Sequence, residues 1–295
     1  MRRDFLRQIS RKAGSFLPVL SALLLGSVAL AWVGWQWVQT EFPPVEVLGS
    51  QYPVVHFRGP GNPPTVELIS SRPLSWVRIS SVSSHAVGAI LVSEDWAFYS
   101  HPGYDLDQMR EAMQHDLKKG RFARGASTIT QQVVRNVFLT REKTLWRKIR
   151  ELVLAARLDR ELSKSRILEI YLNIAEWGPG IFGIGKASQF YFNKAPSELT
   201  AREGAFLALL LPSPIRYGQS FRQKKLTPYA RKTLSEILSK MVRAQRITEE
   251  QRSNALAERM AFEARVEVSK ADGEPKDEPE DESQEERGEE LESKE

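Results

Sequence analysis

Residues 83–105 read SSHAVGAILVSEDWAFYSHPGYD. A serine opens the stretch as a helix cap, and the run from Ala86 to Val92 carries no polar side chain. A helix that is apolar on every side belongs inside a core rather than on its surface. Glu94 and Asp95 fall at the end of that helix, followed by His101, four aromatic residues and a Pro-Gly turn. A buried carboxylate is costly unless it is paired or employed. The stretch therefore predicts a core helix with an acid at its end that is either paired or employed.

Working outward, the helical pattern continues to about Glu263 with clear start signals. DLDQMREAMQHDLKK places Asp105 three residues before Gln108 and puts Leu106, Met109, Met113 and Leu117 on one face. Further helices are expected from Ser127, Thr144 and Ser165. Thr200 with Glu203 forms a capping box before a run that stops at Pro212. Thr227 caps a helix with Pro228 in its first position, and TEEQRSNALAERMAFEARV closes the ordered part. No sustained alternation predicts a strand between 83 and 263. The expected domain, residues 76–263, is mostly α.

Residues 41–75 are rich in Pro and Gly and read as an extended linker with a short strand around YPVVHF. Upstream, residues 1–12 carry five basic side chains and one acid, and residues 13–40 carry no charge at all. The 23 residues from Phe16 to Val38 exceed the ~20 needed to cross a bilayer. Trp32, Trp35 and Trp37 sit at the far end, where interfacial aromatics belong. The basic flank comes first, which keeps residues 1–12 in the cytoplasm and exports the body. A signal peptide cut after Ala29-Leu30-Ala31 is the competing reading, but the apolar run continues past it and favours an uncleaved anchor.

At the other end, residues 270–295 hold 13 Asp/Glu and 4 Lys/Arg, a net charge of −9 in a chain of net +5. The segment 264–295 reads as a disordered acidic tail. The rest of the chain is strongly basic, which suits phosphates, anionic lipid or nucleic acid. There is no cysteine, so disulfide frameworks and thiolate chemistry are excluded.

Four segments have residues suited to chemistry. The first is Glu94-Asp95 with its aromatic turn. In the second, RGASTITQQVVRN at 124–136, a Gly turn leads into a helix start, and backbone N–H groups there favour anions. Read alone it is also a polar helix face capped by Ser127. The third, RKIRE at 147–151, puts Arg147, Lys148 and Glu151 on one face, which alone is an ordinary solvated face with helix ion pairs. The fourth, EIYLN, spaces Glu169 and Asn173 to brace each other before a Gly-rich bend. His56, His85, His101 and His115 show no metal-ligand spacing, and no Walker loop is present.

Together these segments resemble the peptidoglycan glycosyltransferases of bacterial cell walls, glycosyltransferase family 51. The family's E-D-x-x-F-x-x-H-x-G matches Glu94, Asp95, Phe98, His101 and Gly103. Its G-G-S-T-I-T-Q-Q, with a basic residue and Asn shortly after, matches GASTITQQVVRN. Its R-K-x-x-E and E-x-Y-L-N match RKIRE and EIYLN. The resemblance covers roughly residues 76–218. Ala126 replaces the second Gly, Arg135 stands where Lys is usual, and LPSPIRYG is similar to the family's LPxxP stretch. With no S-x-x-K or K-T-G motif, the chain looks like the monofunctional, membrane-anchored type.

The resemblance implies a lysozyme-like, two-lobed helical domain behind a transmembrane helix, on the periplasmic side of the inner (cytoplasmic) membrane. It implies polymerisation of glycan chains from lipid II by inverting transfer, in cell-wall biogenesis and maintenance of cell shape. The partners implied are lipid II, the nascent strand, the membrane, and transpeptidases or other wall-synthesis proteins, with no nucleic acid.

By motif position Glu94 is the general base, and Glu151 is the second catalytic carboxylate, which need not be a general acid and either orients the cations or holds a divalent ion (Mg or Mn). Substrate binding falls to Arg124, Ser127, Thr128, Gln131, Gln132, Arg135, Asn136, Arg147 and Lys148. Asp95, Phe98, His101, Gly103, Glu169 and Asn173 brace the motifs. Residues 106–123, with Met109, Met113, Leu117 and Phe122 beside Lys118, Lys119 and Arg121, suit either a membrane-facing helix or a core-packed one. A lytic glycosidase would need an acid but no diphosphate-binding cations. A non-catalytic scaffold would have lost Glu94 or the basic cluster.

Overall fold

A computed structural model describes residues 23–119, 127–140, 142 and 144–263. Arg124, Ala126, Arg121, Phe122, residues 1–22 and the acidic segment 264–295 lie outside the described residues. So do the side chains of Met113, Leu117, Lys118 and Lys119.

The chain is mostly α, and its centre is a pair of largely buried helices. Helix α2 (Ser84–Glu94), capped by Ser83, buries Ala86 and every residue from Gly88 to Val92. Helix α8 (Ala201–Leu210) buries all ten of its residues. The two approach so closely that a Cβ on Gly204 would lie 2.6 Å from the Ala86 Cα. Glu203 and Arg202 are tolerated inside because both are paired. Glu203 closes the capping box with Thr200 and accepts from Lys194 Nζ at 2.8 Å. The Arg202 guanidinium donates to the Ala255 and Leu256 carbonyls at the end of α12 (Glu249–Ala257). Helix α11 (Pro228–Arg243), opened by Thr227 and Pro228, completes this group against α2 and α8.

A second group gathers α4 (Ile129–Phe138), α5 (Leu145–Glu161) and α6 (Lys164–Ile174). Its caps shift two of the expected starts. Thr128, not Ser127, caps α4, because only Thr128 pairs reciprocally with Gln131. Ser163, not Ser165, caps α6 by accepting from the Arg166 N–H. Helix α3 (Leu106–Lys119) starts where Asp105 Oδ1 accepts from the Gln108 N–H at 2.9 Å. Helix α7 (Ile184–Phe192) and two short helices, α9 (Pro214–Tyr217) and α10 (Gln219–Arg222), complete the order.

Residues 41–75, read from composition as a linker, are instead part of the fold. Strands β1 (Tyr52–His56) and β2 (Thr65–Ile69) form an antiparallel hairpin. Val45 and Leu48 are fully buried. One side chain holds the segment down. The Arg166 guanidinium donates to Leu48 O at 3.0 Å and Gln51 O at 2.8 Å, pairs with Glu169 at 2.9 Å, and stacks on Tyr52 and Trp76. The Gly-rich bend is a second small hairpin, β3 (Glu176–Gly178) with β4 (Ile181–Phe182), which the alternation search missed because it is so short.

A helix α1 covers residues 23–41, and its large apolar side chains are exposed, among them Leu23, Leu25, Leu30 and Trp32. Among the described residues no helix is long and apolar enough to cross a membrane. The first part of the expected span, residues 13–22, lies outside them. The end of α1 meets α5: Trp37 stacks on Trp146, whose indole N–H donates to Glu41 Oε2 at 2.9 Å.

Candidate active site

The first motif is a rigid turn bolted to α4 and α5. Asp95 is buried at the end of α2 and accepts from the Ile129 N–H at 2.9 Å, the first residue of α4. It also meets His101 Nε2 at 2.9 Å. His101 Nδ1 accepts from the Gly103 N–H at 3.2 Å, which assigns the ring proton to Nε2. Gly103 has φ +85°, and a Cβ there would lie 2.4 Å from Ala155 O. Its carbonyl accepts from Thr128 Oγ at 2.7 Å. Phe98 is fully buried, with Lys164 Nζ 4.8 Å over its ring.

Glu94 hangs free of this lattice. It accepts from Gln132 Nε2 on α4 at 2.9 Å, and the Tyr171 hydroxyl also acts on it as a hydrogen-bond partner. Burial raises its carboxyl above the ordinary value, and the Gln132 amide and the Arg135 charge offset part of that rise. Burial and the Glu94 charge also push the Tyr171 hydroxyl well above its usual range, so it stays a proton-bearing donor, 3.4 Å from Gln132 Oε1. Glu94 opens into a pocket of about 360 Å³ shared with Trp96, Asp105, Glu111 and Lys240. It is partly buried, poised and reachable, which is what a proton acceptor requires.

Glu151 is the opposite case. It is fully buried, and both oxygens are taken: Oε2 by Arg147 Nη1 at 2.5 Å and Oε1 by Lys148 Nζ at 2.6 Å. Lys148 Nζ also donates to Ser127 Oγ at 3.2 Å. Of the two tasks expected of Glu151, this arrangement suits orienting the cations. A carboxylate enclosed by two cations positions them, and it offers no free oxygen to a divalent ion. Among the described residues no three His, Asp or Glu side chains group as a metal site.

Three further expectations change. Gln131 is fully buried and its carbonyl oxygen accepts from the Thr128 N–H at 2.9 Å, closing the α4 cap. Thr128 is buried too, and its hydroxyl serves Gly103 and the cap. Neither side chain is available to a ligand. Gln132 is tied to Glu94, not to open solvent. Glu169 and Asn173 brace each other through one bond, from Asn173 Nδ2 to the Glu169 carbonyl at 2.8 Å, and their other side-chain atoms hold the segment before α2. Glu169 accepts from Trp76 Nε1 and the Ile79 N–H, while Asn173 exchanges two hydrogen bonds with the Val77 backbone.

Arg135 and Arg147 line a cleft of about 740 Å³ with Asn136 and Thr140. Its far wall is the β1–β2 hairpin, through Val55, Pro63, Pro64 and Val66, with Phe182 of β4. Sequence reasoning missed this wall. Arg135 makes no hydrogen bond or ion pair with any described residue; it lines the cleft, and its charge also pulls the Glu94 carboxyl down. Because Gln132 and Arg135 are three residues apart on α4, one helix links the acid to the cationic cleft.

An acid on a helix end beside a groove of cations is what enzymes of glycosyl transfer require, and the comparisons agree. A family model described as Transglycosylase matches residues 64–242. A biosynthetic peptidoglycan transglycosylase of Nitrosospira multiformis is 39% identical over 169 residues, 57% of this chain and 72% of that protein. One from Cupriavidus metallidurans is 45% identical over 47% of this chain and 60% of its own length. One from Nitrobacter winogradskyi is 46% identical over 50% of this chain and 66% of its own. The chain belongs to the transglycosylase family and is a glycosyltransferase.

Proposed function

We propose that this protein polymerises the glycan strands of peptidoglycan from lipid II, with Glu94 as the general base. The observation that carries the reading is a desolvated, reachable Glu94 held by Gln132, with Arg135 one helical turn further along α4 in the cationic cleft. The two helix groups, with Glu94 and α4 at their junction, support the lysozyme-like, two-lobed description.

The 4-hydroxyl of the acceptor sugar is a weak nucleophile. Glu94 takes its proton as the oxygen attacks the anomeric carbon of the donor. The bond from that carbon to the phosphate oxygen breaks, the lipid diphosphate leaves with the electron pair, and attack from the opposite face inverts the centre. A diphosphate leaving group needs charge neutralisation more than a proton, and Arg135 and Arg147 supply it. Glu151 keeps Arg147 and Lys148 in place. Asp95, His101 and Gly103 hold the turn from which Glu94 projects.

The lipid on the substrate accounts for the exposed apolar surface of α1. With the basic residues 1–12 before it, this supports a single-pass anchor in the inner membrane and a periplasmic domain. Incubating the purified full chain with labelled lipid II and separating the products tests the activity. Polymer from wild type and none from Glu94→Gln is the expected outcome, and a folded Glu94→Gln protein that polymerises normally sinks the base assignment. A reporter fused after Glu295 that is active in the cytoplasm would overturn the topology.

A further inference from the structure

We propose that Glu176 contacts the donor saccharide, accepting a hydrogen bond from one of its hydroxyl or amide groups beside the diphosphate. This rests on the lipid-linked donor proposed above. Glu176 lies in β3 and lines the same cleft as Arg135 and Arg147. Strand alternation sends its neighbour Trp177 wholly into the core, where Tyr191 OH donates to the Trp177 carbonyl at 2.8 Å. The Glu176 backbone is therefore fixed and its carboxylate directed to the cleft.

That carboxylate is almost unemployed. Its one hydrogen bond, from the Gly180 N–H to Oε1, is stretched to 3.4 Å, and Oε2 has no partner among the described residues. No ion pair joins it to either arginine, although all three line one cavity. Two other acids of this chain do close on neighbouring cations, the fully buried Glu151 and the partly buried Glu169. An acid left apart from two guanidiniums leaves room for a group that offers donors to one side and negative charge to the other. A sugar diphosphate has both: phosphate oxygens for the arginines and O–H or N–H groups for Glu176. An ammonium group would meet the same two guanidiniums, so a neutral donor fits better. Phe182, paired with Glu176 across the hairpin, and Val55 and Val66 give the sugar ring an apolar face.

The experiment compares wild type, Glu176→Ala and Glu176→Gln for KM and kcat on lipid II, with thermal melts of each. Glu176→Ala should raise KM about 10–100-fold, the loss of a hydrogen bond to a charged group, with kcat nearly unchanged. Glu176→Gln, which keeps an acceptor oxygen, should fall between. Among lipid II analogues lacking one donor-sugar hydroxyl or the acetamido N–H, one should weaken wild type to the same extent and weaken Glu176→Ala no further. A lowered melting temperature with unchanged KM would assign Glu176 to the β3–β4 turn and overturn the proposal. So would full additivity with every analogue. A wild-type protein that makes no polymer sinks the functional reading itself, whereas active wild type with an unaffected Glu176→Ala removes only this inference.

Discussion

Glu94 and Glu151 are two glutamates of one active site in opposite surroundings. Glu94 ends an apolar helix, holds one amide, and has its carboxyl raised by burial. Glu151 is more deeply buried, yet two cations enclose it at 2.5 and 2.6 Å. Burial alone does not make an acid a base. Burial that is only partly compensated raises the carboxyl, because the proton then relieves a desolvation cost that Gln132, Arg135 and Tyr171 meet only in part. The same burial with two partners makes a fixed counter-ion. The different tasks of the two acids follow from their neighbours.

The largest expected effect tests Glu94. Glu94→Gln should lower kcat about 10²–10⁴-fold while a lipid diphosphate still binds. The same change should raise the melting temperature at neutral pH, since it removes a poorly solvated charge and keeps the bond to Gln132. The sign follows from a carboxyl that is raised in the folded state: ionising it disfavours folding. The gain should be full above the folded pKa and vanish as pH falls to the unfolded one. A slow variant that is also less stable would place Glu94 among the bracing residues instead.

Gly103→Ala comes next. It forces a side chain into φ +85° and against Ala155 O. Urea melts should show a loss of about 2–5 kcal/mol. A loss below about 1 kcal/mol would mean that the turn carrying Glu94 is not held by α5.

Glu151→Gln should cost less stability, about 1–3 kcal/mol in the same melts. Removing one partner of a fully buried pair costs about 3–5 kcal/mol, but the Arg147 and Lys148 side chains are 17% and 34% exposed and water takes up part of the loss. Diphosphate affinity should fall as the two cations lose their fixed positions. A variant with intact affinity and lost turnover would return Glu151 to a direct role.

These contrasts were legible in the sequence to different depths. The all-apolar run before Glu94 announced a buried helix and an acid needing employment, and the caps at Ser83, Thr144, Thr200 and Thr227 marked true starts. The role of Glu151 was open because i, i+3 and i+4 spacing shows who is near, not who is buried. Thr128 and Gln131 look like ligand donors in a string of polar residues. Only the cap geometry shows both turned inward. Strand β1 was legible in YPVVHF, but its partner β2 and the docking of the hairpin were hidden by the surrounding prolines and glycines. What holds it is Arg166, more than 100 positions away from Leu48 in the chain, and no local pattern carries such a contact.

The smallest expected effect concerns Gln132, which stands between the two acids' worlds: it donates to Glu94, and its helix carries Arg135 into the cationic cleft. Its amide is the largest of the three influences, with Arg135 and Tyr171, that hold the Glu94 carboxyl down against burial. Gln132→Leu removes that donor and keeps the bulk. The Glu94 carboxyl should then rise further, and the acid limb of kcat/KM should move to higher pH. Well above that limb Glu94 is ionised in both proteins, so the rates should differ only a few-fold, the cost of a less firmly oriented base. As pH falls the gap should widen, because the variant protonates first. Arg135 still lines its cleft, so KM at high pH should stay close to wild type. An acid limb unmoved by Gln132→Leu would mean that a group other than Glu94 sets it, and the contrast between the two glutamates would lose its functional side.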